Sequence, residues 1–308
     1  MLEVGDIQKC TKYSQLPTAI AIGKFSIFHK GHEKILTKLQ ETSENPILFS
    51  FTPSPALFFS KNKIAHGSIL SIRQRGGILK KLGIKGFFQK FTQDFSNLSP
   101  EYFIQLLLEK FQMKHLIVGE DFVFGKNHSG NINLLRDLSE KYNFTVHIIA
   151  LTLEKSEIIK TTNLRTLLQD GKIKEFNDSL AFNLKYEIAG NVAKGKQIAG
   201  KILGFKTANI FLNSRLVMPK FGVYTCKIRI NEKDFFGIVN LGIKPTLNEN
   251  FSPMAEAHIF DFNQEIYGKK ITIELHEFIR EEKKFPNLMD LKKQIQQDCL
   301  LAAERFKL

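Results

Sequence analysis

Gly190-Asn-Val-Ala-Lys-Gly-Lys-Gln-Ile-Ala-Gly-Lys-Ile-Leu-Gly-Phe-Lys-Thr-Ala-Asn-Ile-Phe-Leu212 is the stretch from which the rest of the chain is best read. Its glycines at 190, 195, 200 and 204 would each cost a helix about 1 kcal/mol relative to alanine, so the segment reads as strand, loop and strand. A glycine-rich loop lets backbone N–H groups approach a phosphate chain, and Lys194, Lys196, Lys201 and Lys206 suit an anionic ligand. Gly195, Lys201 and Gly204 are the candidate nucleotide contacts within the loop. Beyond it, Thr207 and Asn209 alternate with Ala208 and Ile210, so in an extended segment both oxygen-bearing side chains face the same way. A hard cation such as Mg²⁺ takes oxygen ligands of that kind together with phosphate oxygens. The same residues also fit an ordinary hairpin with glycine turns and one polar face.

Around this stretch the second half of the chain consists of short strands with turn signals, the signature of an antiparallel barrel or sandwich. Strands are expected at 186–192, 207–212, 222–230, 234–241, 256–260 and 270–279. Pro286 opens a final helix whose Leu288, Leu291, Ile295, Cys299 and Ala302 form one apolar stripe. Glu256, between Ala255 and Ala257, could accept a proton from a substrate hydroxyl or simply lie on the exposed face of an edge strand.

The first half has a different rhythm. Thr18-Ala-Ile-Ala-Ile22 is a short apolar run ending at Gly23, the pattern of a buried parallel strand. Lys24-Phe-Ser-Ile-Phe-His-Lys-Gly-His32 follows and leads into a helix, placing His29 and His32 at its entrance. Free N–H groups and the helix dipole favour phosphate there, and Gly31 keeps the space clear. A metal pair and plain surface histidines are the alternatives. Strands at 46–51, 86–91, 115–119 and 145–150 alternate with helices at 71–82, 100–111 and 130–142, which argues a parallel α/β sheet with ligands beyond the strand carboxyl ends. Gly23 and Gly119 both fall at such ends, so the His29/His32 loop and the Glu120/Asp121 loop are expected to face one crevice. Thr161-Thr-Asn-Leu-Arg165 offers two hydroxyls and a guanidinium at another helix start, either for phosphate or as a plain N-cap with a solvated Arg. The change of pattern near residues 180–186 divides the chain into 1–183 and 184–308.

With 308 residues, 43% apolar and 24% charged, the chain is long enough for two packed domains. It has no run of eighteen apolar residues, and Met1 to Gln15 carries Glu3, Asp6, Lys9 and Lys12 without an apolar centre, so neither a membrane span nor a secretory leader is expected. The expected location is the cytoplasm. Three widely spaced cysteines support neither a disulfide framework nor a zinc site. The net charge of +13 is spread over both halves with no basic tail, which suits phosphorylated small molecules as well as nucleic acid, and no nucleic-acid partner is expected. No feature of the sequence specifies an oligomeric state.

Together these stretches resemble the bacterial bifunctional riboflavin kinase/FAD synthetase family over nearly the whole chain. Gly195 to Asn209 resembles the family's glycine-rich loop and Pro-Thr-Ala-Asn signature. Gly242-Ile-Lys-Pro-Thr246, Glu256 to Phe262, Tyr267-Gly268 and Arg280 to Phe285 follow in the family's order. His29-Lys-Gly-His32, Gly119-Glu-Asp-Phe-Val-Phe-Gly125 and Thr161-Thr-Asn-Leu-Arg165 carry the N-terminal match.

The resemblance implies a nucleotidyltransferase-like, Rossmann-like α/β domain followed by a six-stranded antiparallel flavin-kinase-like barrel with a terminal helix. It implies that riboflavin is phosphorylated by ATP to FMN in the barrel, with Glu256 as general base and Mg²⁺ held by Thr207, Asn209 and the phosphates. FMN would then be adenylylated by a second ATP to FAD, with His29, His32, Thr162 and Arg165 stabilising phosphate charge. Gly23, Phe25, Gly31 and Thr161 are carried over as nucleotide contacts, and Asp121, Phe122 and Arg280 as flavin contacts. The chain departs from the family's usual residues at Ser26-Ile27 (Asp-Gly), Thr52 and Ser54 (Asp and His), Lys160 (Ser) and Lys206 (Pro). Most departures fall in the adenylylating half, so the alternative is a riboflavin kinase with a weak or inactive N-terminal domain.

Overall fold

A computed structural model of the chain describes residues 2–61, 68–150, 153–154, 157–158, 161–193, 207–212, 216–245 and 251–307. The chain forms two compact units, Met1–Thr161 and Thr162–Leu308.

In the first unit six strands form one all-parallel sheet: β1 (Leu2–Gly5), β2 (Thr18–Ile22), β3 (Pro46–Thr52), β4 (Lys85–Lys90), β5 (Met113–Gly119) and β6 (Thr145–Ile149), in the spatial order β1-β4-β3-β2-β5-β6. Every residue of β2 is buried, as a central parallel strand covered on both faces requires. The helices are α1 (Lys30–Thr42), α2 (Pro55–Phe59), α3 (Ile72–Lys81), α4 (Gln93–Ser96), α5 (Pro100–Phe111) and α6 (Ile132–Tyr142). Local chemistry sets several starts: Ser71 and Gln74 form a capping box on α3, and Ser99 caps α5 with Pro100 in its first turn. The core is rich in phenylalanine; Phe87 stacks on Phe49 at 5.3 Å and meets Phe111 edge-on at 5.1 Å. The spatial order reverses at β2, which is flanked by β3 on one side and β5 on the other. Ala21 pairs with Ile117, so Gly23 and Gly119 end neighbouring strands at the place where parallel sheets open a crevice. β1 is an edge strand that the sequence reading did not anticipate. A short antiparallel ladder, β7 (Leu153–Glu154) with β8 (Glu157–Ile158), closes the unit.

The second unit begins with α7 (Thr161–Gln169), whose first residue belongs to the preceding unit, and α8 (Ile173–Asp178). Six strands then close into a barrel: β9 (Glu187–Ala193), β10 (Thr207–Phe211), β11 (Gly222–Ile230), β12 (Lys233–Pro245), β13 (Phe251–Ile259) and β14 (Lys270–Arg280), in the order β10-β13-β12-β11-β14-β9, with β9 returning to β10. Alternation is regular: Ala208, Ile210, Val239, Leu241, Ala255 and Ala257 are buried on one face of their strands, while Thr207, Glu256 and Asn240 take the other. Closure leaves no unpaired edge, as an antiparallel barrel should. The terminal helix α9 (Leu288–Phe306) packs Ile295, Cys299 and Ala302 against Val223 and Ile238. Leu288, expected in that stripe, is 44% exposed, because the helix has only just begun at its cap, Asn287. The barrel also receives α8: Asn177 donates to the Leu275 carbonyl and accepts from the Tyr186 N–H, both at 2.8 Å.

Candidate active sites

In the barrel, antiparallel pairing places Asn209 directly opposite Glu256 and Glu256 directly opposite Asn240. Directly opposed residues in adjacent strands send their side chains to the same face, with Cβ atoms about 5 Å apart. Three strands therefore carry one polar row, Asn209–Glu256–Asn240, and Thr207 opposite His258 forms the next. Asn209 is 6% exposed, and its Oδ1 is buried without a hydrogen-bond partner. A buried amide oxygen in that state carries a desolvation cost of about 1–3 kcal/mol unless a bound group offsets it. An oxygen donor set of Asn209 Oδ1, the Thr207 hydroxyl and the neighbouring carboxylate fits a hard cation. The glycine loop with Gly195, Lys201 and Gly204, together with Lys206 and Thr246, lies outside the described residues.

Two features of this face were not singled out in the sequence. Asn240 Oδ1 is also buried and unpartnered, while its Nδ2 donates to Glu282 Oε1 at 2.9 Å. Glu282 is seated against Gly242, where any Cβ would overlap its carboxylate. Arg280, expected as a flavin contact, donates from Nε to both Asp298 carboxylate oxygens at 3.0 and 3.1 Å and from Nη2 at 2.7 Å. Its Nη1 reaches the Glu281 carbonyl at 3.0 Å, and Phe285 lies 5.9 Å from the guanidinium carbon. Asp298, 2% exposed and one residue before Cys299 on the apolar side of α9, thus ties the helix to the end of β14. Sequence spacing gives no sign of a pair 18 residues apart in different elements.

In the first unit the chain leaving β2 turns sharply. Phe25 adopts a left-handed φ of 38° and is buried, with its ring 4.4 Å from that of His32. Gly23 makes this possible, since a Cβ there would come within 2.6 Å of the Phe25 ring. His29, the N-cap of α1, stacks on His32 at 3.7 Å, and Gly31 occupies the first turn between them. Nδ1 of both imidazoles is buried without a partner. Burial lowers His29 to about pH 4; burial first, and then the neighbouring His29, push His32 well below its ordinary value despite a backbone hydrogen bond to Ile27. Both rings are therefore neutral near pH 7, and neither has a hydrogen bond through Nδ1. Ser26 and Ile27, where the family resemblance implied Asp-Gly, are buried in the same turn.

Arg75 lies buried beside this turn, which the helix expected over 71–82 does not by itself reveal. It is 3% exposed, with Nη1 at 3.5 Å from the Lys24 carbonyl and 3.4 Å from Ser50 Oγ, and lies 4.5 Å over the Phe88 ring. Burial lowers it to about 10, still protonated at neutral pH. On the neighbouring strand end, Asp121 is exposed beside Gly119, whereas Phe122 stacks on Phe124 at 5.3 Å and packs on the core. Thr161 and Thr162 stand in the first turn of α7; Thr162 is exposed, and Arg165 is half-buried with its pKa lowered by burial. Lys160 lies outside the described residues.

Among the described residues no helix is long and apolar enough to cross a membrane. The family profile described as riboflavin kinase matches residues 182–306, and that described as FAD synthetase matches residues 11–163. A bifunctional riboflavin kinase/FMN adenylyltransferase of Buchnera aphidicola subsp. Schizaphis graminum is 35% identical over 300 residues, covering 94% of this chain and 95% of its own length. The Bacillus subtilis relative with the same description is 32% identical over 96% of this chain and 94% of its own, and that of Escherichia coli K12 is 31% identical over 98% and 97%. A solved Streptococcus pneumoniae structure, described as a macrolide-efflux protein, has TM-score 0.80 and 24% identity over 97% of both chains, a likeness of fold. The chain belongs to the family of bifunctional riboflavin kinase/FMN adenylyltransferases.

Proposed function

We propose that the chain converts riboflavin to FMN in the barrel and FMN to FAD in the parallel-sheet unit, each step consuming one ATP. The observation that carries the kinase assignment is the direct opposition of Asn209 and Glu256, with Asn209 Oδ1 buried and unpartnered. Glu256 takes the proton from the riboflavin 5′-hydroxyl as that oxygen bonds to the γ-phosphorus of ATP and ADP departs. Thr207 and Asn209 would hold Mg²⁺, which when bound offsets charge on the phosphate oxygens. The 5′-hydroxyl needs a base near neutral pH, and Glu256 is the carboxylate in the row.

In the parallel-sheet unit a phosphate oxygen of FMN attacks the α-phosphorus of ATP and pyrophosphate leaves. This nucleophile is already ionised, so the chain's task is binding and charge stabilisation. The start of α1 supplies the positive end of a helix dipole, and His29 and His32 supply imidazole nitrogens beside it. A triphosphate against the rings favours their protonated form, so the neutral pair of the free protein becomes a better anion site once the ligand arrives. Thr161, the last residue of this unit, supplies a hydroxyl, and the Asp121/Phe122 turn is assigned to the flavin.

Incubation with riboflavin, ATP and Mg²⁺, followed by chromatographic separation of the flavins, tests the assignment. FMN followed by FAD is expected. Absence of FMN defeats the kinase assignment; FMN accumulating without FAD, with pyrophosphate removed, defeats the adenylyltransferase assignment alone.

A further inference from the structure

We propose that Asn240 positions the alcohol substrate of the barrel reaction, accepting a hydrogen bond from a riboflavin hydroxyl on the side of Glu256 away from Asn209. This rests on the kinase assignment above and adds a residue and a direction to it.

The amide is held in one orientation. Its Nδ2 donates to Glu282 Oε1 at 2.9 Å, and Glu282 is itself seated in the space that Gly242 leaves by lacking a side chain. With the donor end fixed, Oδ1 is the end left buried and without a partner, as it is in Asn209. Orphaned acceptors of this kind are uncommon in folded proteins and call for an explanation at each site. Here two of them flank one carboxylate, since Asn209 and Asn240 are both direct cross-strand partners of Glu256.

The two amides cannot serve a single cation equally. Strands lie about 4.8 Å apart, so the Asn209 and Asn240 backbones are about 10 Å apart, whereas Mg²⁺ holds its oxygens at about 2.1 Å. Charge decides which amide serves which substrate. Asn209 shares its strand face with the Thr207 hydroxyl and follows the lysine-rich stretch that ends at Lys206. Asn240 instead has the Glu282 carboxylate as its neighbour, and a like charge disfavours a triphosphate there. An uncharged polyol fits that side: its hydroxyls donate to amide and carboxylate oxygens without repulsion. The row then runs from phosphoryl donor at β10, through the base at β13, to phosphoryl acceptor at β12.

The test is steady-state riboflavin kinase kinetics of the full chain, with riboflavin binding measured separately by quenching of flavin fluorescence. Asn240→Ala should raise the riboflavin KM and Kd about 3- to 10-fold, the loss of one hydrogen bond, and leave the ATP KM within about twofold. The double variant Asn240→Asp with Glu282→Gln exchanges donor and acceptor in the fixed pair and keeps an oxygen facing the alcohol; it should bring the riboflavin KM back to within about threefold of wild type. Asn209→Ala should show the opposite pattern, with the ATP KM rising and riboflavin binding retained. Unchanged riboflavin constants in Asn240→Ala, or a rise in the ATP KM alone, overturn the inference. So does a uniform fall in kcat with a lowered unfolding temperature and no recovery in the double variant, which marks a packing residue. A wild-type chain that makes no FMN overturns the kinase assignment itself and this inference with it.

Discussion

Burial of the stacked imidazoles at the start of α1 gives the first unit a specific dependence on acid. Burial lowers His29 from its ordinary 6.5 to about 4. Between these values the unfolded chain holds a proton that the folded chain does not, so unfolding takes up a proton and acid favours it. The contribution is complete above pH 6.5 and is lost progressively as pH falls toward 4. Linkage makes the loss from His29 alone on the order of 1 kcal/mol by pH 5.5 and of 2–3 kcal/mol by pH 4.5, relative to neutral pH. His32, shifted in the same direction, adds to the slope. The perturbation is His29→Asn, which removes the titration, and the assay is urea unfolding without nucleotide from pH 4.5 to 7.5. The stability difference between wild type and variant reports the His29 titration together with the change that its removal makes to the stacked His32. That difference should shrink by about 2–3 kcal/mol on going from pH 7.5 to 4.5. A difference independent of pH, or a His29 C2–H resonance titrating near 6.5, would refute the burial argument.

Other outcomes follow from the geometry. Asp298→Ala should destabilise the second unit by about 3–5 kcal/mol in thermal unfolding, because it leaves Arg280, whose side chain is 14% exposed, without its carboxylate; a change under about 1 kcal/mol contradicts the assignment. Gly23→Ala should cost about 1–3 kcal/mol and depress FAD formation more than FMN formation, because the new methyl meets the Phe25 ring; an unchanged ratio of the two products contradicts it. Glu256→Gln should lower kcat for FMN formation by about 10²–10⁴, while conversion of supplied FMN to FAD continues. His32→Ala should do the reverse, and equal loss of both activities from either variant would show that the sites are not independent.

Local pattern carried the architecture where burial is periodic. Thr18–Ile22 reads as a buried parallel strand because all five residues are in fact enclosed. Glu256 stands out because Ala255 and Ala257 point inward on either side. Leu2–Gly5 escaped notice because an edge strand with alternating exposed and half-buried residues has no apolar run to mark it. The less legible residues are those whose meaning depends on a distant partner. Asn240 is one polar residue in the otherwise apolar run Phe235–Ile243 until β13 brings Glu256 beside it, and Arg280 reads as a flavin contact until α9 delivers Asp298. Arg75 sits in a segment with two glycines and two arginines, whose burial follows from what β2 and β3 place beneath it.

The link from α8 to the barrel has a practical corollary for separating the two activities. Asn177 fastens the barrel through the Leu275 carbonyl and the Tyr186 N–H, and the Lys220 N–H bonds back to the Leu168 carbonyl at 3.0 Å. A fragment cut at residue 184 would expose a seam that the intact chain keeps closed. Excising the flavin-phosphorylating module as a stand-alone reagent therefore calls for a start near Thr162, with both short helices carried along as its lining.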